Sequence, residues 1–216
     1  MIGFMQLLTH SLYLAPLPLY AQLYAADTLL VDGGAPFVKQ TFRNRAIIAT
    51  ENGTQTLTIP VVHQGRQAMR DVRISEHGNW RHLHWNALVS AYRKSPFFEY
   101  YADDFERFYR QKEGFLLDFN LQLHALISEL LGLERAVRIV ENCAVETGEN
   151  TIADIRAMAE PGRLASFSCD VAGPYYQVFA LRNGFIPNLS IVDLLFNMGP
   201  EGLIVLRDAK ETIAAL

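Results

Sequence analysis

The sequence predicts an α/β protein with a mixed β-sheet, formed by a parallel strand–helix–strand start, a β-hairpin and a helical segment; an α+β arrangement is the alternative. Two aliphatic runs, 6–14 and 28–31, flank a stretch with helical spacing at 19–26. An Asn-Gly pair at 52–53 separates two apolar runs, which is typical of a hairpin. Apolar residues recur every three to four positions through 79–132, which predicts helices.

The composition favours one well-packed core. Half of the 216 residues are hydrophobic and 19% are charged, so we expect a single domain over 1–216 with a mostly helical portion around 79–132. The net charge of −4 argues against nucleic-acid binding and leaves anion recognition to local groups. No run has the length of a membrane span. Cys143 and Cys169 lack the spacing of a metal site or disulfide framework, so we expect a cytoplasmic protein.

The elements of the first half follow from short local signals. A buried strand over 6–14 is closed by two prolines, and a short helix follows at 19–26. The strand at 28–31 ends at an Asp-Gly-Gly turn, and this direct succession predicts a parallel pair. Further strands are expected at 45–50 and 55–62, which form the hairpin, and at 71–75.

Three helices are predicted in the middle of the chain. Asn79 is expected to cap the first, and Ser95 with Pro96 at the first helical position starts the second. The third covers 113–131, and Gly132 stands where a left-handed residue ends such a helix. Weaker patterns predict a strand or helix end at 136–140, a helix at 151–160, strands at 166–171 and 175–180, and helices near Ile191 and after Pro200.

The first of these helices carries a histidine on its buried side. The residues that share this helix face are Trp80, Leu83, His84, Ala87 and Ala91. His84 is therefore either a general base or a core histidine with a satisfied hydrogen bond. His82 points to the opposite side, so the two histidines do not converge and no metal site is predicted.

A row of cations precedes the hairpin. If the segment is extended, Lys39, Thr41, Arg43 and Arg45 share one face, because side chains alternate along a strand. Guanidinium groups bind phosphate and carboxylate through two parallel hydrogen bonds, so this row is a candidate anion-binding site. The alternative is a solvated strand face, with lysine protecting a sheet edge.

Two further groups stand near the C-terminus. Asp193 is a candidate acid–base residue, although Ser190 followed three residues later by an acidic residue is also a capping pattern. Capping is the favoured role for Ser190. Tyr176 and Gln177 can recognise the hydroxyls of a sugar or nucleotide, or they can pack within a strand. Common nucleotide-binding, dehydrogenase, hydrolase and metalloprotease motifs are missing from the sequence.

At these positions the chain resembles the WbqC-like protein family. The matching segments follow one another in the family's order: Tyr13-Leu14-Ala15-Pro16, 37–45 with the hairpin, 80–101, Tyr176-Gln177 and 185–199. The residues that fit the family pattern are Lys39, Asn44, Arg45, His84 and Asp193. The chain departs from the family at Pro16-Leu17-Pro18, where many members carry Trp-Ile-Gly, and a different substrate is expected if this segment lines the site.

The resemblance implies a role in O-antigen or other surface-polysaccharide biosynthesis, as an aminoacyl or acyl transferase acting on an activated sugar intermediate. Lys39, Arg43, Asn44 and Arg45 would hold an anionic, nucleotide-sugar-like substrate, with His84 or Asp193 as general base and Tyr176 and Gln177 at the acceptor. The alternative is a non-catalytic protein that recognises an anionic glycan intermediate or a partner enzyme. The sequence identifies neither a cofactor nor an oligomeric state.

Overall fold

The computed structural model describes residues 5–62, 65–141, 152–164 and 174–213. Its strands are β1 (Gln6–Thr9), β2 (Thr28–Asp32), β3 (Arg45–Thr50), β4 (Gly53–Thr58), β5 (Val61–Val62), β6 (Arg73–Ile74), β7 (Ala136–Val140) and β8 (Ile152–Asp154). Its helices are α1 (Leu17–Tyr24), α2 (Trp80–Tyr92), α3 (Phe98–Arg110), α4 (Leu116–Leu130), α5 (Pro161–Leu164), α6 (Ala180–Asn183), α7 (Ile191–Met198) and α8 (Gly202–Ile213).

A parallel sheet of order β7-β2-β1-β8 forms the centre of the fold. The chain passes from β1 through α1 to its neighbour β2, as the strand–helix–strand pattern predicts, and β7 then pairs with the far side of β2. β8 pairs in parallel with the other side of β1. β3 and β4 form a separate antiparallel hairpin. The predicted mixed α/β fold is confirmed.

Helix α7 lies deepest in the helical part of the molecule. Its apolar residues between Ile191 and Phe196 are fully buried. Phe196 makes edge contacts with Phe98 and Phe105, each with ring centroids 5.0 Å apart, and also packs on Tyr92. Because these rings come from α2, α3 and α7, helix α7 is part of the same core as the helices in the middle of the chain.

The structure corrects several predicted boundaries in the first half. The first strand stops at Thr9, and the backbone turns at Leu14, where φ is +41°. The hairpin forms as predicted, but Thr50 pairs with Gly53, so the two-residue loop is Glu51-Asn52. A glycine with φ of +109° therefore opens β4 instead of standing inside the turn.

Two helix starts also differ from the prediction. Asn79 occupies the capping position of α2, but its backbone is left-handed and its side chain makes no capping hydrogen bond. α3 begins at Phe98, later than predicted from Ser95 and Pro96. Gly132 has the left-handed conformation expected after α4. Leu83 was predicted on the buried face of α2 but is 58% exposed, and Arg81 is buried.

The region after Gly132 departs most from the prediction. Residues 136–140 form strand β7, which settles the choice left open by the sequence. The prediction of a helix at 151–160 is wrong. Residues 152–154 form strand β8, which pairs with β1, and a short 3-10 helix covers 156–159. A strand at 175–180 is also wrong, since 174–179 are irregular and lead into α6. The strand predicted at 166–171 lies outside the described residues.

The two C-terminal helices, α7 and α8, agree with the prediction. Ser190 caps α7, because its Oγ accepts a hydrogen bond from the Val192 amide at 3.4 Å and donates one to the Leu14 carbonyl at 2.7 Å. Of the helices that the structure describes, none has both the length and the apolar character needed to cross a membrane.

Candidate functional site

Polar side chains collect where three parallel strands end. Asp32 is the last residue of β2, His10 follows β1 directly, and Asp154 is the last residue of β8. Arg156 joins the outer two strands: its Nη1 lies 2.9 Å from Asp32 Oδ2, and its Nη2 lies 2.6 Å from Asp154 Oδ2. Because β1 lies between β2 and β8, this double ion pair crosses the strand that carries the histidine.

The arginine contacts differ in their surroundings. The Asp32 side chain is only 2% exposed, and its second oxygen, Oδ1, accepts a hydrogen bond from the Ala35 amide at 2.9 Å. Asp154 is exposed and receives two further hydrogen bonds from Arg156, one from Nε and one from the backbone amide, each at 3.0 Å. The inner carboxylate is therefore held in a fixed position, and the outer one lies at the surface.

Arg43 completes this group from the segment before β3. It is 5% exposed, and its Nη1 donates a hydrogen bond to Thr41 Oγ1 at 3.2 Å. Within the described residues, Arg43 forms no ion pair, and its Nε has no hydrogen-bond partner. Burial lowers its pKa to about 10, although the charges of Glu160 and Asp32 oppose the change. The buried cation therefore has capacity for an anion.

His10 is neutral at neutral pH. Burial and the positive charge of Arg43 together lower its pKa to about 4, and the negative charge of Asp32 acts in the opposite direction. Its Nδ1 is buried and has no hydrogen-bond partner among the described residues. We call the five residues His10, Asp32, Arg43, Asp154 and Arg156 the carboxyl-edge cluster.

The cluster occupies the usual position of a ligand site in an open parallel sheet. Ligands bind outside the carboxyl ends of the strands, at the point where the strand order reverses. Here the chain builds outward from β1 to β2 and β7, and then adds β8 on the opposite side of β1. The reversal therefore falls between β1 and β8, where His10 and Arg156 lie. An uncharged imidazole next to a buried guanidinium can accept a proton from a group on a bound anion.

Sequence reasoning found only one residue of this cluster, Arg43. The signal for the others is a polar residue placed directly after each strand: His10 after β1, Asp32 at the end of β2, and Asp154 at the end of β8. Asp32 was visible in the sequence, because it directly follows the predicted strand 28–31, whereas His10 lay inside the longer strand predicted for 6–14. Asp154 was hidden, since β8 was predicted as part of a helix.

The predicted basic row does not form a strand face. Residues 37–44 lie in loops and turns, and Gln40 has a left-handed backbone with φ of +63°. Lys39 is consequently exposed while Arg43 is buried. Arg45 is half-buried at the start of β3, and Asn44 uses its amide to donate to the Ile59 carbonyl at 2.9 Å. These side chains do not line up on one face, and only Arg43 joins the carboxyl-edge cluster.

His84 lies in an aromatic part of the core. Its Nδ1 is 2.9 Å from the Tyr13 hydroxyl, which is in turn 2.8 Å from the hydroxyl of Tyr109. Trp80 packs edge-on against the imidazole, with ring centroids 5.1 Å apart. Burial lowers the pKa of His84 to about 4, and a hydrogen bond to the Thr58 backbone raises it slightly. These contacts are those of a packed histidine with a satisfied hydrogen bond.

Asp193 lies at the centre of a buried network on α7. Its Oδ2 accepts hydrogen bonds from the Tyr175 hydroxyl at 2.7 Å and from Gln177 Nε2 at 3.0 Å. Gln177 also binds both backbone polar groups of Ile186, at 2.9 Å each. Tyr176 points outward and is 54% exposed. Gln177 thus holds the 174–186 segment against α7, and Tyr175 is its buried partner.

The Asp193 network predicts a specific pH dependence of stability. Burial raises the pKa of Asp193 to about 6, although hydrogen bonds from Tyr175, Tyr92 and Gln177 act to lower it. One pH unit corresponds to about 1.4 kcal/mol, so the charged form costs the fold about 3 kcal/mol. A raised pKa means that the associated stability is complete below about pH 4 and is lost as the pH rises through about 6.

Replacing this carboxyl with an amide should remove that loss. Urea denaturation measures the free energy of unfolding of Asp193→Asn and of the unsubstituted protein at pH 4 and at pH 7.5. We expect the difference, variant minus unsubstituted protein, to be about 3 kcal/mol larger at pH 7.5 than at pH 4. All other titrating groups are common to the two proteins and cancel in the difference. Parallel stability curves would show that Asp193 does not titrate in this range.

The carboxyl-edge cluster combines one histidine with two carboxylates, but both carboxylates, Asp32 and Asp154, already form ion pairs with Arg156. Among the described residues, no set of three histidine, cysteine, aspartate or glutamate side chains is grouped so that it could hold a metal ion. The donors at this edge, Arg43 and Arg156, are cationic and suit an anionic ligand.

The fold and this cluster define an α/β protein with a polar site at the carboxyl edge of an open parallel sheet. The chain belongs to the WbqC-like protein family, whose model matches residues 11–166. It is also similar to the uncharacterized protein Rv1507c of Mycobacterium tuberculosis (strain ATCC 25618 / H37Rv), with 28% identity over 211 residues, 86% of this chain and 90% of the relative. No solved structure matches the chain significantly.

Proposed function

We propose that this protein is a transferase that acts on an activated, anionic sugar intermediate of surface-polysaccharide biosynthesis, with the carboxyl-edge cluster as its active site. One observation carries the proposal: Arg43 is a buried cation without an ion pair among the described residues, and its positive charge lowers the pKa of His10 at the carboxyl edge of the sheet. Family membership directs the choice of substrate class.

Arg43 would hold the phosphate or carboxylate of the substrate. A buried guanidinium forms strong, directional hydrogen bonds with such groups, because few water molecules compete for its N–H donors. Its Nε has no hydrogen-bond partner among the described residues, while its Nη1 donates to Thr41 Oγ1. Lys39 lies on the exposed part of the same segment and adds a solvent-accessible positive charge. The predicted anion-binding role of the 39–45 segment is therefore retained, with Arg43 as its central residue.

His10 would serve as the general base. Its imidazole is uncharged at neutral pH because burial and Arg43 lower its pKa. The negative charge of a bound substrate would raise that pKa again, which would make the ring a better base for the proton of an attacking amine or hydroxyl. The attacking group would then form a bond to the activated carbon while the leaving group departs with its electron pair. Arg156 holds Asp32 and Asp154 away from the substrate charge, because both carboxylates are engaged in ion pairs.

A second candidate function is a non-catalytic binding protein for the same class of anion. It is favoured by the burial of His84 and Asp193, the two residues that the sequence analysis selected for proton transfer, since both are engaged in core hydrogen bonds. In that case Arg43 still binds an anion, but no proton is transferred. Turnover by the purified protein distinguishes the two functions.

A thermal-shift screen tests whether the cluster binds the expected ligands. Purified protein is heated with nucleotide sugars, nucleotides, acyl-CoA or amino acids, and a ligand at a hundred times its dissociation constant should stabilise it by about 2.7 kcal/mol. We expect Arg43→Gln to lose this ligand-induced shift, whereas Arg107→Gln, which removes an exposed cation from α3, should retain it. The absence of any shift across the panel would contradict a small-molecule transferase.

Catalysis is tested with any ligand that shifts the melting temperature. We expect mass spectrometry to detect transfer of the acyl or aminoacyl group, and His10→Gln to reduce turnover by about a hundredfold or more while keeping the thermal shift. Binding without turnover in the unsubstituted protein would favour the non-catalytic alternative. Full activity of His10→Gln would remove the histidine from the mechanism.

A further inference from the structure

A cavity lies between the start of α2 and the end of α3. It has a volume of about 460 Å³, which is within the usual range for small-molecule sites. Trp80 and Trp85 contribute from α2, Glu106 and Tyr109 from α3, and Glu76 and Lys112 from the adjoining loops. None of these residues belongs to the carboxyl-edge cluster.

The cavity has a rigid aromatic wall. Trp85 is half-buried and stacks on Tyr109, with ring centroids 6.0 Å apart and planes inclined by 27°. Trp80 meets Tyr109 edge-on at 6.4 Å and is only 4% exposed. The Tyr109 hydroxyl is fixed by Tyr13 at 2.8 Å. A preformed aromatic surface of this kind costs little conformational entropy on binding.

The polar groups around this wall are largely charge-compensated. Glu76 lies 3.1 Å from the guanidinium of Arg81, and Glu106 lies 2.8 Å from that of Arg110. Because each carboxylate is paired with an arginine of the same lining, Lys112 is the one cation of the lining left without a carboxylate partner among the described residues, and this balance favours a ligand of low charge over a phosphate-rich one. The remaining carboxylate oxygens can still accept hydrogen bonds, and Lys112 can donate them.

The donors that a ligand can reach are the exposed side chains of the lining. Asn79, Arg110 and Lys112 line the cavity and are exposed, and all three carry N–H groups. Arg81 also lines the cavity, but its guanidinium lies 4.5 Å from the centre of the Trp80 ring and is largely buried. Amide, guanidinium and ammonium groups donate hydrogen bonds, so a hydroxyl-bearing ligand finds donors here as well as acceptors.

We infer that this cavity is a saccharide-binding site for one or two sugar rings. Sugar hydroxyls both donate and accept hydrogen bonds, which matches the mixture of carboxylates and N–H donors. The C–H groups of a sugar ring carry partial positive charge and pack on the negative face of an aromatic ring such as that of Trp85. The site does not require catalysis at the carboxyl-edge cluster, so it goes beyond the proposed transferase function.

The two tryptophans give a direct test. The chain contains two tryptophans, and both line this cavity, so intrinsic fluorescence reports on it without a label. The 216-residue chain is titrated with N-acetylglucosamine, glucuronate, lactose and maltose. We expect at least one sugar to change the fluorescence saturably, with a dissociation constant on the order of 1 mM or below.

Variants identify the site. Trp85→Ala should weaken the sugar at least about tenfold, Trp85→Phe should weaken it less because an aromatic ring remains, and Glu106→Gln should also weaken it. Tyr100→Ala is the matched control, since it removes a 79% exposed aromatic residue of α3 that does not line the cavity. Equal affinities in Trp85→Ala and Tyr100→Ala would overturn the inference. So would the lack of a saturable response to all four sugars.

The outcome is separable from that of the transferase proposal. Arg43→Gln should bind the sugar with unchanged affinity, because Arg43 does not line this cavity. Trp85→Ala should keep any thermal shift produced by an anionic ligand at the carboxyl-edge cluster. Saturable binding of inorganic phosphate, with no response to sugars, would assign the cavity to anions and overturn the saccharide class.

Discussion

Arg156→Ala is expected to lower the free energy of unfolding by about 3 kcal/mol. The substitution leaves Asp32 charged, with its side chain 2% exposed and without the guanidinium that neutralises it. The hydrogen bond from the Ala35 amide remains, but one amide cannot replace a full positive charge. The large effect therefore arises from the unpaired buried carboxylate and not from the loss of the exposed pair with Asp154.

Urea denaturation at pH 7 measures this effect, and the chain supplies a matched control. Arg163 forms an ion pair of 3.2 Å with Glu160, but both side chains are more than half exposed. Arg163→Ala should therefore cost about 0.5 kcal/mol or less. Adding Asp32→Asn to Arg156→Ala should recover part of the loss, because an uncharged amide can still accept the Ala35 hydrogen bond. Equal effects of the two arginine variants would refute this account.

Gly199→Ala is expected to destabilise the fold by about 3 kcal/mol or more. Gly199 ends α7 with φ of +54°, a conformation that residues with a Cβ rarely adopt. A Cβ at this position would also lie 2.5 Å from Cδ1 of Phe97. The Phe97 backbone is held by a hydrogen bond from its amide to the Phe196 carbonyl at 3.0 Å, and its ring stacks on Tyr101 with centroids 6.5 Å apart, so the ring has to leave this contact to make room.

Gly132→Ala separates the two causes. Gly132 has φ of +64°, but a Cβ there would meet no atom within 4 Å, so its substitution should cost only about 1 kcal/mol. Melting curves of both variants, with and without Phe97→Ala, provide the measurement. The ring contact predicts that Phe97→Ala reduces the effect of Gly199→Ala and leaves that of Gly132→Ala unchanged. If both glycine variants lose the same stability, the backbone conformation alone is responsible.

Local patterns were sufficient to predict the elements whose stability depends on neighbouring residues. The strand–helix–strand start, the hairpin and the helices of the middle region all follow from apolar periodicity and turn residues. Periodicity also placed His84 on the buried face of α2. It did not place Leu83 correctly, because Arg81 takes the buried position through contacts with Glu76 and the backbone of Phe108 and Glu113.

Elements fixed by distant partners could not be predicted in this way. Strand β8 has three residues and exists because it pairs with β1, from which it is separated by most of the chain. The 175–180 segment has the composition of a strand, yet Tyr175 and Gln177 turn toward the buried carboxylate of Asp193. Asp154 and Arg156 reach the carboxyl-edge cluster through the same long-range pairing, and His10 was hidden inside the longer strand predicted for 6–14.

The ion pair between Arg156 and Asp32 joins residues 124 positions apart in the sequence. A protein emerges from the ribosome with its N-terminal part first, so β1, α1 and β2 are complete long before Arg156 has been translated. Until then Asp32 retains its water, and the edge of β1 that later pairs with β8 remains open. Closure of a contact at this sequence distance is slow in folding. The cluster that we assign to substrate binding is therefore among the last parts of the nascent chain to assemble.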